Sequence, residues 1–293
     1  DLNFYPIETA RRGNLRWRPV GLGVMGLQDV FFKLRLPFDS EDARTLSAKI
    51  AETIYYHALE TSVELAEERG RHPSFHETRA ATGEFQFEAW GVKPEDTDRW
   101  ETLRERIVES GLRNSLLIAI APTATIASIA GCYECVEPQT SNLFKRETLS
   151  GDFLQINRYL VVELKKLGMW TPEVRDEIKQ AEGSIQGVAR IPQALRDIYR
   201  TTWEVPMRSL IDMAADRGAF VGEVILGAYA STSGEEDRSL LGNRHEAAMY
   251  YANRLAIDPD DEVGCLEACQ PLTADSGVRS AERSTALPAT RMG

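Results

Sequence analysis

Apolar residues follow a helical rhythm along most of this chain. From Glu41 to Gly70, Leu46, Ile50, Ile54, Ala58 and Leu65 recur close to helical spacing, while Glu52, Glu60, Glu64, Glu67 and Glu68 mostly fill the other positions. That spacing predicts a long amphipathic helix, opened after Ser40 by Glu41 and Asp42, with its acidity on a solvated face. Leu27, Val30, Phe31 and Leu34 predict a shorter helix before it, with the boundary at Pro37. Further helices are expected over Glu95 to Gly111, Asp152 to Leu167 and Pro172 to Glu182, and a helical pair over Ile191 to Gly218 interrupted at Pro206. Between them, Thr78 to Asp98 is a polar excursion in which Phe85, Phe87 and Trp90 are the expected packing anchors.

One stretch breaks the rhythm. Leu116 to Ala121 is continuously apolar, as expected of a parallel strand covered on both faces, and Pro122 ends it by removing a ladder donor. A helix follows at once, with the hydroxyls of Thr123 and Thr125 in its first turn, where free N–H groups and the positive dipole end favour an anion. Ala124 and Ala127 keep the approach open. Two readings stand at this point: Thr123 is an ordinary N-cap, or the turn holds a phosphate. The alternation of strand and helices suggests part of an α/β barrel, and no repeat of fixed period is present.

The chain has 293 residues, 43% of them apolar and 27% charged, enough for a sizeable core in one large domain or two ordinary ones. Its formal charge of −11 argues against a nucleic-acid groove or an anionic membrane surface as the main partner, while leaving room for a local nucleotide pocket. No apolar run reaches the roughly 18–20 residues of a membrane span, and Asp1 to Arg12 lack the blocks of a signal peptide, so a cytoplasmic protein is expected. Four cysteines are too few for a disulfide scaffold. The opening Asp1, without an initiator Met, reads like the middle of a domain.

Three motifs suggest other chemistry. Gly21, Gly23 and Gly26 match the spacing of a dinucleotide fingerprint, but no apolar strand precedes them and no βαβ continuation with an acidic strand end follows. His72, His76 and Glu77 resemble a metal cluster, yet Pro73 interrupts the helix that would align both imidazoles. Cys132 and Cys135 have redox or half-zinc spacing, but the other half would have to be Cys265 and Cys269, in an unlike context, and no metal is expected.

From Asn114 through Gly151 the sequence NSLLIAIAPTATIASIAGCYECVEPQTSNLFKRETLSG closely resembles the catalytic large (alpha) subunit of class I ribonucleoside-diphosphate reductase, in its C-terminal portion. The likeness extends over Asp1 to Phe220, including Trp203 to Pro206 and Ser209 to Gly218, and fades beyond Phe220. It implies a fold: the second part of a ten-stranded α/β barrel of the reductase type at 1–220, helix-rich, followed by a divergent segment with a cysteine-containing tail at 221–293. It also implies that Pro122, Thr123, Ala124, Thr125 and Ile126 bind the substrate diphosphate, and that the Gly21 to Gly26 glycines let a strand pass closely into its helix. Glu137 and Pro138 match a phrase near the family's active site, where Glu137 would shape the nucleotide pocket, and Lys145 and Arg146 would balance phosphate charge or be merely solvated.

By the same resemblance, Cys265 and Cys269 form a redox shuttle carrying electrons from thioredoxin or glutaredoxin, unless they are an incidental pair; the family usually ends at about Cys269, whereas this sequence runs on to Gly293. Adjacent Tyr250 and Tyr251 are either radical-transfer residues or helix-packing residues. The family implies a ribonucleoside diphosphate as substrate, a small (beta) subunit bearing the metal-radical cofactor, no cofactor bound directly by this chain, and a homodimer in the full enzyme. Its radical-bearing and reducing cysteines would lie upstream of Asp1. The expectation is therefore a part of the reductase that needs the missing N-terminal part of the large subunit to turn over, with an inert nucleotide-binding fragment as the alternative.

Overall fold

A computed structural model of the chain describes residues 4–148 and 151–221, with side chains described outside 146–153. The segment 222–293, which includes Tyr250, Tyr251, Cys265 and Cys269, lies outside the described residues.

Helices α1 (Glu8–Trp17) and α2 (Leu27–Leu34) lead into the long α3 (Glu41–Arg69). Ser40 caps α3 by accepting from Ala43 N at 3.2 Å, and Gly70 ends it at φ 82°. Its buried stripe differs from the expected one. Ala43, Ser47, Ala51, Tyr55, Leu59 and Val63 face inward, whereas Leu46, Ile50, Ile54, Ala58 and Leu65 flank the stripe and are only partly covered. The small residues of the stripe let α10 (Met207–Gly218) come close, where Arg217 Nη1 donates to Ser47 Oγ at 3.0 Å and Arg44 pairs with Asp216 at 2.7 Å.

The acidic face of α3 is not wholly solvated either. Glu52 is buried, because Arg99 and Trp100 of α5 (Thr97–Ser110) donate to its Oε1 at 3.0 and 3.2 Å. Before α5 come two 3-10 turns, Phe75–Glu77 and Arg79–Thr82, and the single-turn α4 (Gln86–Ala89). Phe85 and Phe87 are buried there, with rings 4.9 and 4.8 Å from that of Trp100, and Trp90 is half-buried.

His72 sits in this region at 1% exposure, between the rings of Trp17 and Phe75, where the Arg16 carbonyl is near but no well-aligned hydrogen bond reaches either ring nitrogen. His76 is exposed, so the two imidazoles do not converge. Burial lowers the His72 pKa to about 4, against the pull of the Arg16 carbonyl and Glu77. Between pH 6.5 and 4 the unfolded chain therefore takes up a proton that the folded chain refuses, and stability should fall by about 3 kcal/mol across that window. Urea titrations at pH 7 and pH 4.5 check this, and His72→Phe should flatten the histidine part of the slope.

Residues 116–121 do not form the expected strand: they make one isolated parallel bridge, Leu22 with Ile118. Val20 N and Leu22 N donate to the carbonyls of Leu116 and Leu117, and Ala119 N returns a bond to Leu22 O. Leu117 and Ile118 are buried while Ile120 and Ala121 are exposed, so the segment is not covered on both faces. The glycines explain the approach on the paired side. A Cβ at Gly23 would lie 2.7 Å from Ala119 O, and one at Gly21 would lie 3.0 Å from Ala119 Cβ. These glycines thus serve the close approach of residues 116–121, the structural role the sequence suggested.

After α6 (Ala124–Ala130), the chain forms a hairpin, β1 (Leu143–Thr148) antiparallel to β2 (Gly151–Ile156), with Leu143 opposite Ile156. The expected helix from Asp152 thus starts late, at α7 (Arg158–Lys166), because Asn157 caps it by accepting from Tyr159 N at 3.0 Å. Then come α8 (Pro172–Gln180), capped by Thr171, and α9 (Gln193–Ile198), with Pro206 opening α10 as the sequence indicates. Three apolar clusters hold these elements: one around Trp100, one around Phe32 and Leu160, and one around Phe31 and Met213.

Candidate functional site

The turn between the extended segment and α6 stands at the surface. Pro122, Ala124, Thr125 and Ile126 are exposed, Thr123 is half-buried, and Ala127 is fully buried as the anchor beneath them. Thr123 occupies the N-cap position but does not cap with its side chain. Its backbone is left-handed at φ 55°, and its Oγ1 accepts from Cys135 N at 2.8 Å. The ordinary N-cap reading is therefore corrected: the hydroxyl oxygen reaches across the chain, and its O–H hydrogen still has a direction to donate in. The Thr125 hydroxyl and the amides of the first turn lie on the same exposed end of the helix, where a dipole of α6 favours negative charge.

The loop after α6 returns to support it. Cys132 N donates to Ala127 O at 3.0 Å, and Gly26 N donates to Tyr133 O at 2.9 Å. Asp29, buried on α2, accepts from Tyr133 N at 2.6 Å and from the Tyr159 hydroxyl at 2.8 Å, with Arg158 Nη2 at 3.5 Å. Beside this hub a cleft of about 210 Å³ opens, lined in part by Asp29, Cys132, Glu134, Glu137, Phe144 and Arg158. Glu137 is 4% exposed and Pro138 lines the same cleft, which sets both beside α6. Lys145 is exposed on β1, and the side chain of Arg146 lies outside the described ones.

Neither described cysteine is poised for redox exchange. Burial, then the charge of Asp29, pushes the Cys132 thiol above its ordinary value, and Cys135 is buried; both are free thiols. A thiol whose pKa is raised, or one that is buried, is a poor nucleophile. Among the described residues, no three His, Cys, Asp or Glu come together in a way that would hold a metal.

Sequence reasoning missed the amide network that fixes the loop. Gln139 Nε2 donates to Asn142 Oδ1 at 2.9 Å and to the carbonyls of Tyr199 and Arg200, both at 3.1 Å. Asn157 Nδ2 donates to Gln139 Oε1 at 2.8 Å and Asn142 Oδ1 at 2.9 Å, and Gln28 Oε1 accepts from Gln139 N at 3.2 Å. All of these side chains are buried. Gln139 and Asn142 lie in a stretch to which the sequence assigned no element, and Gln28 and Asn157 lie within expected helices, so no local pattern joined the four.

The family model described as the ribonucleotide reductase barrel domain matches residues 1–225. The ribonucleoside-diphosphate reductase large subunit of Dictyostelium discoideum is 49% identical over 224 residues, covering 76% of this chain and 26% of that protein. Its counterpart in Caenorhabditis elegans is 47% identical over 223 residues, covering 76% of this chain and 28% of that protein. The chain thus spans about a quarter of the length of these relatives. Among solved structures, the class Id ribonucleotide reductase alpha subunit of Actinobacillus ureae shares the fold, with a TM-score of 0.54, 24% identity, and coverage of 72% of this chain and 32% of that one.

Proposed function

We propose that this chain, which belongs to the ribonucleotide reductase barrel-domain family, works as part of a catalytic large subunit that reduces ribonucleoside diphosphates to deoxyribonucleoside diphosphates. Its share of that work is to hold the substrate's diphosphate at Pro122, Thr123, Ala124, Thr125 and Ile126. The observation that supports the reading is the turn itself: exposed small residues and the Thr125 hydroxyl beside the half-buried Thr123 hydroxyl, at the N-terminal end of α6 above buried Ala127. In this role the chain binds and orients. Threonine O–H and backbone N–H donors replace the water around the phosphate oxygens, which fixes the ribose at the other end of the nucleotide.

The radical chemistry is supplied by a metal-radical cofactor on a partner small subunit, with electrons delivered by thioredoxin or glutaredoxin. Cys265 and Cys269 as the electron shuttle, and Tyr250 and Tyr251 as the radical relay, are proposals resting on sequence alone. A further partner is the portion of the fold that the relatives carry and this chain does not match. The exposed apolar residues Val20, Leu22, Met25 and Ile120, along the extended segments 20–25 and 116–121, suit burial against it. The short match to the relatives also supports a rival reading, an inert fragment that binds nucleotide or a sister subunit without chemistry.

Reconstitution separates the two. The 293-residue chain, combined with the unmatched remainder of the Dictyostelium discoideum large subunit, a small subunit and a thioredoxin system, should reduce CDP, whereas the chain by itself should not. Reduction by the isolated chain would contradict the need for a partner half. An assembled but inactive mixture that still binds CDP would favour the inert fragment.

A further inference from the structure

Helix α1 lies on the body of the protein without burying a single residue. Among the described residues, its side-chain bonds and ring contacts to the rest of the chain come from its last turn and go to residues 72–77. Arg16 Nε donates to Ser74 Oγ at 2.6 Å, Arg16 Nη2 donates to Glu77 Oε1 at 2.7 Å, and the Trp17 ring faces that of His72 at 6.3 Å. The backbone completes the joint, with Ser115 N donating to Trp17 O at 3.0 Å and Asn114 Nδ2 to Arg18 O at 3.0 Å.

The Trp17 ring and the Arg16 carbonyl form the α1 side of the pocket around His72, and the Phe75 ring, edge-on at 5.8 Å, forms another side. An imidazolium there would be cut off from water. The charged groups acting on it are Glu77, which attracts it but is held by Arg16, and His76, which repels it, both from its own turn. From α1 comes the guanidinium of Arg16, and beyond Phe75 lies that of Arg71, 5.6 Å over the ring. Charging the imidazole thus requires letting water in. Phe75 belongs to the cluster around Trp100, whereas α1 buries nothing, so lifting α1 is the cheaper way.

We propose that α1 is an arm latched over His72 and released by acid, because docking of the arm and protonation of the imidazole exclude one another. With the arm lifted, His72 regains water and its ordinary value of 6.5, against about 4 when docked. The docked arm is therefore fully favoured above pH 6.5, loses ground as the pH falls towards 4, and loses no more below that. Glu77 is held below its ordinary value, chiefly by the hydrogen bond from Arg16, so it stays ionised and keeps its part of the latch between pH 7 and 5. Over that range the histidine alone sets the response. The inference is independent of nucleotide binding, and it differs from a general loss of stability in that the proton enters by a local opening while α3 and α5 stay folded.

Amide hydrogen exchange of the full 293-residue chain at pH 7 and pH 5, corrected for the intrinsic rates, tests this. It is read at Trp17 and Arg18 in the latch and at Leu103 and Ile107 in α5. Protection of the latch amides should fall about twentyfold from pH 7 to pH 5, the change that a shift from 6.5 to 4 produces, and at pH 5 the α5 amides should remain at least about tenfold better protected. His72→Phe should leave latch protection the same at both pH values. Glu77→Gln should lower it at both pH values by a common factor and keep the twentyfold ratio. Latch protection in wild type that does not depend on pH overturns the proposal, as does a full pH response in His72→Phe. Equal protection of latch and α5 amides at pH 5 also overturns it, since the proton would then enter only by global unfolding. If His72→Phe does not fold, His72→Gln, neutral at both pH values, takes its place, and the wild-type comparison needs no variant.

Discussion

Gly183→Val is expected to cost more than about 4 kcal/mol, a large part of the stability of a domain this size, and so to abolish cooperative folding of the region that carries the hairpin. Two effects combine. Gly183 holds φ 92°, a conformation that a β-branched residue avoids. A Cβ there would also run into Ser141 Oγ and lie 2.7 Å from Leu143 N and 2.9 Å from Leu143 O. Those atoms have nowhere to go. Ser141 Oγ is bonded to the Glu182 carbonyl at 2.7 Å and to Leu143 N at 3.1 Å, and Asn142 Nδ2 donates to the Gly183 carbonyl at 3.0 Å. Gly168→Ala is the matched control. It also sits at positive φ, 67°, but a Cβ there meets nothing within 4 Å, so it should cost only about 1 kcal/mol of backbone strain. Thermal and urea unfolding followed by circular dichroism measure both; a Gly183→Val protein as stable as the Gly168→Ala one would contradict the packing described.

Trp100→Ala should cost about 3–5 kcal/mol. The indole is 1% exposed and lies within 5.6 Å, centroid to centroid, of the rings of Tyr55, Tyr56, Phe85 and Phe87. Deleting it opens a cavity among aromatic side chains that are themselves fixed on α3, on α4 and at the N-cap of α4, so the site has little scope to collapse. It also removes one of the two donors to buried Glu52. Trp100→Phe isolates that second part: it keeps most of the ring volume, loses the N–H, and should cost about 1–3 kcal/mol. Equal losses for the two variants, measured by urea unfolding, would show that the carboxylate bond and not the packing dominates.

The local signals in the sequence were sufficient for most helices. Ser40 and Gly70 bound α3, Thr171 and Pro172 open α8, and Pro206 opens α10, because each stop or start is written in residues next to one another. What could not be read was set by partners far along the chain. Glu52 looked like surface because Arg99 and Trp100, which cover it, are distant in sequence. Asp152 to Ile156 looked helical because the pairing that makes them part of a strand comes from Leu143–Thr148. The inward stripe of α3 contains Ala43, Ser47 and Ala51, which hydrophobicity ranks low but which α10 requires for close approach. At the candidate site, the position of the turn was legible from Pro122 and the hydroxyls. The bond from the Cys135 amide to Thr123 was not, since only the folded chain brings the two together.

The central claim is that the Pro122 to Ile126 turn holds a diphosphate, and calorimetric titration of the folded 293-residue chain with ADP and CDP tests it most directly. A Thr123→Ala, Thr125→Ala double variant, checked for folding by circular dichroism, should lose binding by about tenfold or more. Similar affinities for the two nucleotides, lost together in the variant, are the predicted result. A cooperatively folded wild type that binds neither nucleotide would contradict the claim, as would a double variant that binds as well as wild type.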